Sequence, residues 1–223
     1  MNDLKNFILT HEDDINNNNW EKIYQDTQNL ASLQVGELTS IFYKADINPL
    51  LYLNTVPMCY LYNSSIDSFV IPDNVTGIGY DAFYGCSSLT NIEIPNSVTS
   101  IGDSAFSGCS SLISITISNK ITNIGIRMFS SCTNLTNITI PDNVTNIRDY
   151  AFFYCTNLTN IKIPNRVTSI GNHVFYKCIK LSEILFDGTK NQWENIEKDE
   201  HWNRGSGLKK IICVDGEANS SIC

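Results

Sequence analysis

Basic residues are scarce in this chain. Fifteen lysines and arginines stand against 23 aspartates and glutamates, a net charge of −8. A duplex-coating surface needs the opposite sign, so direct nucleic-acid binding is not expected. Charge of either sign is thin at 17%, which excludes a disordered acidic tail or a basic arm. No apolar run exceeds a handful of residues, so no transmembrane helix is expected. The opening Met1-Asn2-Asp3-Leu4-Lys5-Asn6 has neither a basic n-region nor an apolar h-region. It does not read as a secretory signal, and a cytoplasmic location is the expectation. Metal and catalytic motifs are missing too: there is no C-x2-C pair, H-E-x-x-H, P-loop or EF-hand loop. The three histidines, His11, His173 and His201, fall in different units or caps with no partnered nucleophile. No catalytic residue, cofactor or metal is assigned.

What is present starts with bulk. At 223 residues and 42% hydrophobic, the chain can bury one sizeable domain with a small attachment. Its acidity is uneven. Residues 1–58 carry eight acids and three bases, whereas 59–186 carry eight and seven. Glu12, Asp13, Asp14 and Glu21 concentrate the early charge; a solvated helix face is the plain reading, a patch for a basic partner the sharper one.

A period of 23 decides the fold. Cysteines fall at 86, 109, 132, 155 and 178, and Phe83, Phe106, Phe129, Phe152 and Phe175 keep the same step. So do Leu89, Leu112, Leu135, Leu158 and Leu181, and Ile92, Ile115, Ile138, Ile161 and Ile184. A further column runs Ile94, Ile117, Ile140, Ile163 and Phe186. That period lies in the leucine-rich-repeat range, where each unit is one turn of a solenoid. The fold class is an α+β solenoid with a parallel β-sheet on its concave face and a small N-terminal helical cap.

Within a unit, Ile92 and Ile94 point one way and Glu93 the other, the alternation of a half-buried strand. Pro95 ends it. Val98-Thr99-Ser100-Ile101-Gly102 is a second β-prone run, and Ala105, Phe106 and Cys109 plug the coil from an expected helical turn. Stepping outward predicts a first strand at 66–71 and a last at 208–213, seven in all. Tyr60 sits in a degenerate unit, and Trp193 and Trp202 are expected covers. Residues 1–58, with Leu4, Phe7, Ile8, Ile15, Trp20, Ile23, Tyr24, Leu38, Ile41, Phe42 and Ala45 at helical spacing, form the helical cap. Residues 59–186 hold the repeats, and 187–223 a capping repeat and tail.

The string Ile94-Pro95-Asn96-Ser97-Val98-Thr99-Ser100-Ile101-Gly102-Asp103-Ser104-Ala105-Phe106-Ser107-Gly108-Cys109-Ser110-Ser111-Leu112 closely resembles the BspA-type (Treponema-type) leucine-rich repeat, over roughly residues 55–215. The resemblance implies a non-enzymatic recognition surface, often on secreted or surface-attached proteins that bind host proteins or other cells. Departures are local. Ser118 replaces the proline of Pro95, Arg148 the glycine of Gly102, and Ser131, Tyr154 and Lys177 the glycine of Gly108.

Five of the eight cysteines are locked to the inward register and read as free, buried thiols. Cys213 falls in an apolar slot too, and pairing with Cys223 stays open in an oxidising compartment. Gly77-Ile78-Gly79-Tyr80-Asp81-Ala82 matches a dinucleotide fingerprint in letters only, because the same slots recur one unit later without a βαβ context. The candidate partner surface is the outward face of the main sheet: Asn91, Glu93, Ser114, Thr116, Asn137, Thr139, Asn160, Lys162 and Glu183. A solvated Thr/Asn ladder is the plain alternative. The expectation is a monomeric module that binds another protein by this concave face or by the acidic cap. A phage- or mobile-element-borne inhibitor or decoy of a host nucleic-acid enzyme, using the acidic surface, is the alternative. An adhesin-like, glycan-binding surface repeat is the third.

Overall fold

All but one of the described 23-residue units contribute two short strands, and, apart from one break in each ladder, the strands of successive units hydrogen-bond in register. The computed structural model describes residues 67–71, 73 and 75–218. The expected helical cap at 1–58, the degenerate unit at Tyr60, the acidic residues Glu12, Asp13, Asp14 and Glu21, and Cys223 lie outside these residues.

The first ladder comprises β1 (Ser68–Val70), β3 (Asn91–Glu93), β5 (Ser114–Thr116), β8 (Asn160–Ile163), β10 (Glu183–Phe186) and β12 (Lys210–Cys213). Its parallel registers step by one unit: Ser68 opposes Asn91, Asn91 opposes Ser114, and Asn160 opposes Glu183. The second ladder comprises β2 (Gly77–Ile78), β4 (Ser100–Ile101), β6 (Asn123–Ile124), β7 (Asn146–Ile147), β9 (Ser169–Ile170) and β11 (Glu197–Lys198). Gly77–Ile78 thus pairs with Ser100–Ile101 as an ordinary rung, not as a phosphate-binding turn.

Alternation sets what each strand buries. Ile92, Ile115, Ile138, Ile161, Ile184 and Ile211 are buried, as are all five leucines of the Leu column. No single unit encloses these side chains, so stacking is what removes them from water. Stacked phenylalanines fill the centre. Ring centroids lie 5.0 Å apart for Phe83–Phe106, 5.7 Å for Phe106–Phe129, 5.5 Å for Phe129–Phe152 and 5.6 Å for Phe152–Phe175. Trp202 then closes on Phe175 edge-on, and Trp193 on Trp202, each at 5.9 Å. Both tryptophans are buried, as expected of covers. Trp193 is carried by α1 (Lys190–Glu194), capped by Thr189 and Gln192 in a capping box; β13 (Gly216–Ala218) pairs antiparallel with β12 beyond it.

Two expectations are corrected. The segment carrying Ala105, Phe106 and Cys109 is a run of turns, not a helical turn. Two left-handed residues per unit explain this: Ser104 has φ 58° and Gly108 φ 77°, and that conformation does not propagate a right-handed helix. The glycine slot is left-handed even where glycine is absent, with φ 60° at Ser131, 63° at Tyr154 and 61° at Lys177.

The fourth of the seven expected strands also fails to form. Asn137–Ile140 keeps its alternation of exposed and buried residues but retains a single bridge, Thr139 to Lys162. The amide of Thr136 bonds Ile113 at 3.3 Å and that of Thr159 bonds Thr136 at 3.3 Å, against 2.9 Å for Ile113 to Thr90. The second ladder breaks one step earlier, between β4 and β6. The unit between the two breaks carries Met128 in the slot that alanine fills at 82, 105 and 151, and its Cε packs beside Gly125.

His173 and His201 belong to separate units, as expected, and the stacking of those units brings their rings together with centroids 5.5 Å apart.

Candidate functional site

The outward face of the first ladder holds most of the residues expected to meet a partner. Asn91, Ser114, Asn160 and Glu183 lie in one column, with Asn137 at the interrupted rung; Glu93, Thr116, Thr139 and Lys162 lie in the next. Flanking rungs add apolar surface, since Val70 is 81% and Ile113 49% exposed.

Most polar groups on this face are engaged along the ladder. Ser114 Oγ donates to Asn91 Oδ1 at 2.8 Å, and Asn137 and Asn160 Nδ2 donate to Thr136 and Thr159. Thr159 Oγ1 donates back to the Thr136 carbonyl at 3.3 Å. Two exposed ion pairs end the face: Lys162 to Asp187 and Lys210 to Glu183, each 2.7 Å. The hydrogen bond that each lysine donates to its carboxylate, and then the carboxylate's charge, raises the pKa of the lysine. At this exposure such pairs contribute little to stability, but they hold long side chains in fixed positions.

A second surface escaped the sequence reading. Thr76, Thr99, Thr122, Thr145 and Thr168 form an unbroken column beside the second ladder. The Oγ1 of Thr99, Thr145 and Thr168 donates to the carbonyl one unit back, at 3.1, 3.3 and 3.2 Å. The 23-residue step shows this column plainly, but it lies beside the second, two-residue strand of each unit, where alternation is too short to mark an outward face. Next to it runs an open groove of about 760 Å³, lined among others by Asp103, Asn146, Arg148, Asp149 and Lys198. Its charges are committed. Asp103 Oδ1 accepts the Ile126 amide and Asp149 Oδ1 the Asn172 amide, at 2.8 and 2.9 Å. Lys198 Nζ donates to the carbonyls of Trp193 and Ile196 at 2.6 and 2.8 Å. Burial lowers its pKa.

Among the described residues the cysteines form no metal-binding group. Cys86, Cys109, Cys132, Cys155, Cys178 and Cys213 are buried thiols outside any disulfide. Burial pushes Cys132 up to about 12 and Cys155 well above the ordinary thiol range, so each stays protonated. Among the described residues, no three His, Cys, Asp or Glu side chains gather to hold a metal ion. No described helix is long and apolar enough to cross a membrane.

Two registered parallel ladders, repeated every 23 residues, define a leucine-rich-repeat solenoid. Residues 54–198 match the BspA type Leucine rich repeat region in six copies, and the chain belongs to that family. A comparison with curated proteins gives no match. Among solved structures, the chain is similar to a leucine rich cell surface protein from Faecalibacterium prausnitzii A2-165. The identity is 38% over 60% of this chain and 36% of that one, with a TM-score of 0.59. It is also similar to a leucine rich repeat protein of T. pallidum, 25% identical over 64% of this chain and 72% of that one, TM-score 0.51. A pneumococcal vaccine antigen shares the fold at 20% identity, covering 63% of this chain and 36% of its own, TM-score 0.52. The chain therefore spans about a third of the Faecalibacterium protein.

Proposed function

We propose that this chain is a non-enzymatic interaction module that binds another protein through the outward face of its first ladder. One observation carries the reading: along that face the inward columns are nearly invariant, while the outward ones vary from unit to unit on a fixed scaffold. Asn91, Ser114, Asn137, Asn160 and Glu183 are one such column, Glu93, Thr116, Thr139, Lys162 and Leu185 another. Exposed Val70 and Ile113 supply apolar area beside them, and a mixed apolar and polar patch suits protein contact. Internal hydrogen bonding of the side chains lowers the entropy lost on binding. Solenoids commonly bind through such extended surfaces.

The test is affinity capture with the wild type and an Asn137→Arg/Asn160→Arg variant. Loss of the captured protein with the variant, at unchanged melting temperature, is the expected result. Equal capture by both removes the first ladder from the account and leaves the acidic segment at Glu12, Asp13, Asp14 and Glu21 as the surface to vary next.

The likeness to a cell surface protein favours a second reading, in which the module works outside the cell as a surface or adhesive repeat rather than in the cytoplasm. Protease treatment of intact source cells separates the two. Digestion of the chain without lysis supports the external site; full protection supports the internal one.

A further inference from the structure

A stack of rings runs along the turn flank of the last units, apart from the first-ladder face. The Arg127 guanidinium lies 5.2 Å from the centre of the Tyr150 ring. Tyr150 stacks on His173 and His173 on His201, each at 5.5 Å, with interplanar angles of 10° and 11°. Beside them Phe153 stacks on Tyr176 at 5.2 Å, and the Lys177 ammonium sits 5.7 Å from the Tyr176 ring centre. Earlier units place Asp81 and Ser104 in the first of these columns and Tyr84, Ser107 and Ser130 in the second. Repeat geometry therefore does not require this aromatic concentration.

Tyr150, Phe153, His173, Tyr176 and His201 are all half-buried. In a parallel stack each face is covered by the next ring, so what meets solvent is largely the ring edges. Edges carry the positive end of the ring quadrupole. A sugar or a base would need an open face; an anion suits an edge. Arg127 and Lys177 add two positive charges beside the rings. That is too few for a polyphosphate backbone, which demands a run of cations, and is suited to the carboxylates of an acidic peptide.

The imidazoles set a condition on binding. His173 Nδ1 faces Asn172 Oδ1. An amide oxygen only accepts, so Nδ1 carries the proton and Nε2 of the neutral ring holds a lone pair. His201 Nδ1 lies 3.3 Å from Glu200 Oε1 and 3.9 Å from Asp199 Oδ1, which directs its proton the same way. Nε2 becomes a donor only in the imidazolium. The other charged or titratable groups around the pair are Tyr150 and Tyr176, the cations Arg127 and Lys177 on those rings, Arg204 on the terminal turn, and Asp149, whose Oδ1 is held by the Asn172 amide.

We propose that this edge is a docking stripe for an extended acidic segment of a partner protein, and that it holds the segment's carboxylates when the stacked imidazoles are protonated. The stripe is separate from the first-ladder face, and either can fail without the other.

The probe is a labelled poly-aspartate peptide, titrated by fluorescence anisotropy at about pH 5.5 and about pH 8, either side of the histidine range. Binding to the wild type should be about tenfold tighter at the lower pH, as expected for one or two charge-assisted hydrogen bonds gained. A His173→Phe/His201→Phe variant keeps stacked rings without the proton, and an unchanged melting temperature confirms its fold; it should bind weakly at both pH values. Arg127→Ala should weaken binding at both. A pH step that persists in the His173→Phe/His201→Phe variant overturns the proposal, as does the absence of saturable poly-aspartate binding by the folded wild type. Comparable binding of poly-lysine overturns the charge argument. Tighter, histidine-dependent binding of a sulfated polysaccharide would replace the peptide by a glycan.

Discussion

Cys178 Sγ donates to the carbonyl oxygen of Phe152, 3.0 Å away and 26 residues earlier in the chain. The same bond recurs from Cys155 to Phe129, Cys132 to Phe106 and Cys109 to Phe83. Each thiol thus satisfies a carbonyl of the preceding unit beside the phenylalanine stack, where water does not reach. The cysteine column is a fastening between turns of the solenoid, built from small buried thiols, and at Cys132 and Cys155 burial keeps the thiol protonated.

That protonation makes stability depend on alkaline pH. The folded-state pKa of Cys132 is raised to about 12, whereas an unfolded cysteine ionises near ~8.5. The unfolded chain therefore loses protons first as pH rises, and stability falls between those values, by about 1.4 kcal/mol per pH unit for each such thiol. Urea midpoints at about pH 8 and about pH 10.5 measure this; Cys132→Ala should reduce the dependence by one thiol's share and leave that of Cys155. A midpoint that holds steady across the range contradicts the buried-thiol account.

Left-handed residues without glycine carry strain. Ser131, at φ 60°, occupies the slot held by Gly85 and Gly108. Ser131→Gly should raise stability by up to about 1 kcal/mol, because glycine adopts that conformation without a Cβ clash. The reciprocal Gly108→Ala, at φ 77°, should lower it. Chemical denaturation of both variants checks the pair, and equal or reversed signs would show that the turn relaxes.

Phe129 sits at the middle of the stack, with neighbours at 5.7 and 5.5 Å. Phe129→Ala should cost about 3–5 kcal/mol, the range for removing a fully buried aromatic. Since each unit contacts only its neighbours, the loss should also separate the two halves into distinct unfolding steps. A single cooperative transition with a loss under about 1 kcal/mol would mean that the core repacks around the gap.

Size-exclusion chromatography with light scattering should give a monomer near the 25.0 kDa chain mass. A stable dimer would direct attention to contacts between copies of the chain.

The inward half of the fold was legible because its residues repeat. Cys109, Phe106, Leu112, Ile115 and Ile117 recur at one step and are all buried. What the period hid was what departs from it. His201 follows His173 by 28 residues instead of 23, so the longer connection around α1 masks their stacking. The broken rung at Asn137–Ile140 has strand letters, and its loss comes from spacing between turns, next to the unit of Met128. The candidate face was readable only as alternation; that its side chains bond one another, as Ser114 bonds Asn91, depends on rotamers that no pattern encodes.

Photo-crosslinking reads directly whether the partner lies against the first ladder. A photoreactive phenylalanine analogue would replace Asn137 on that face, Thr122 beside the second ladder or Arg127 on the aromatic flank, each challenged with the captured partner. Covalent capture at Asn137, with little at Thr122, is the predicted result. Crosslinking at Thr122 and not at Asn137 would place recognition on the groove side and contradict the account.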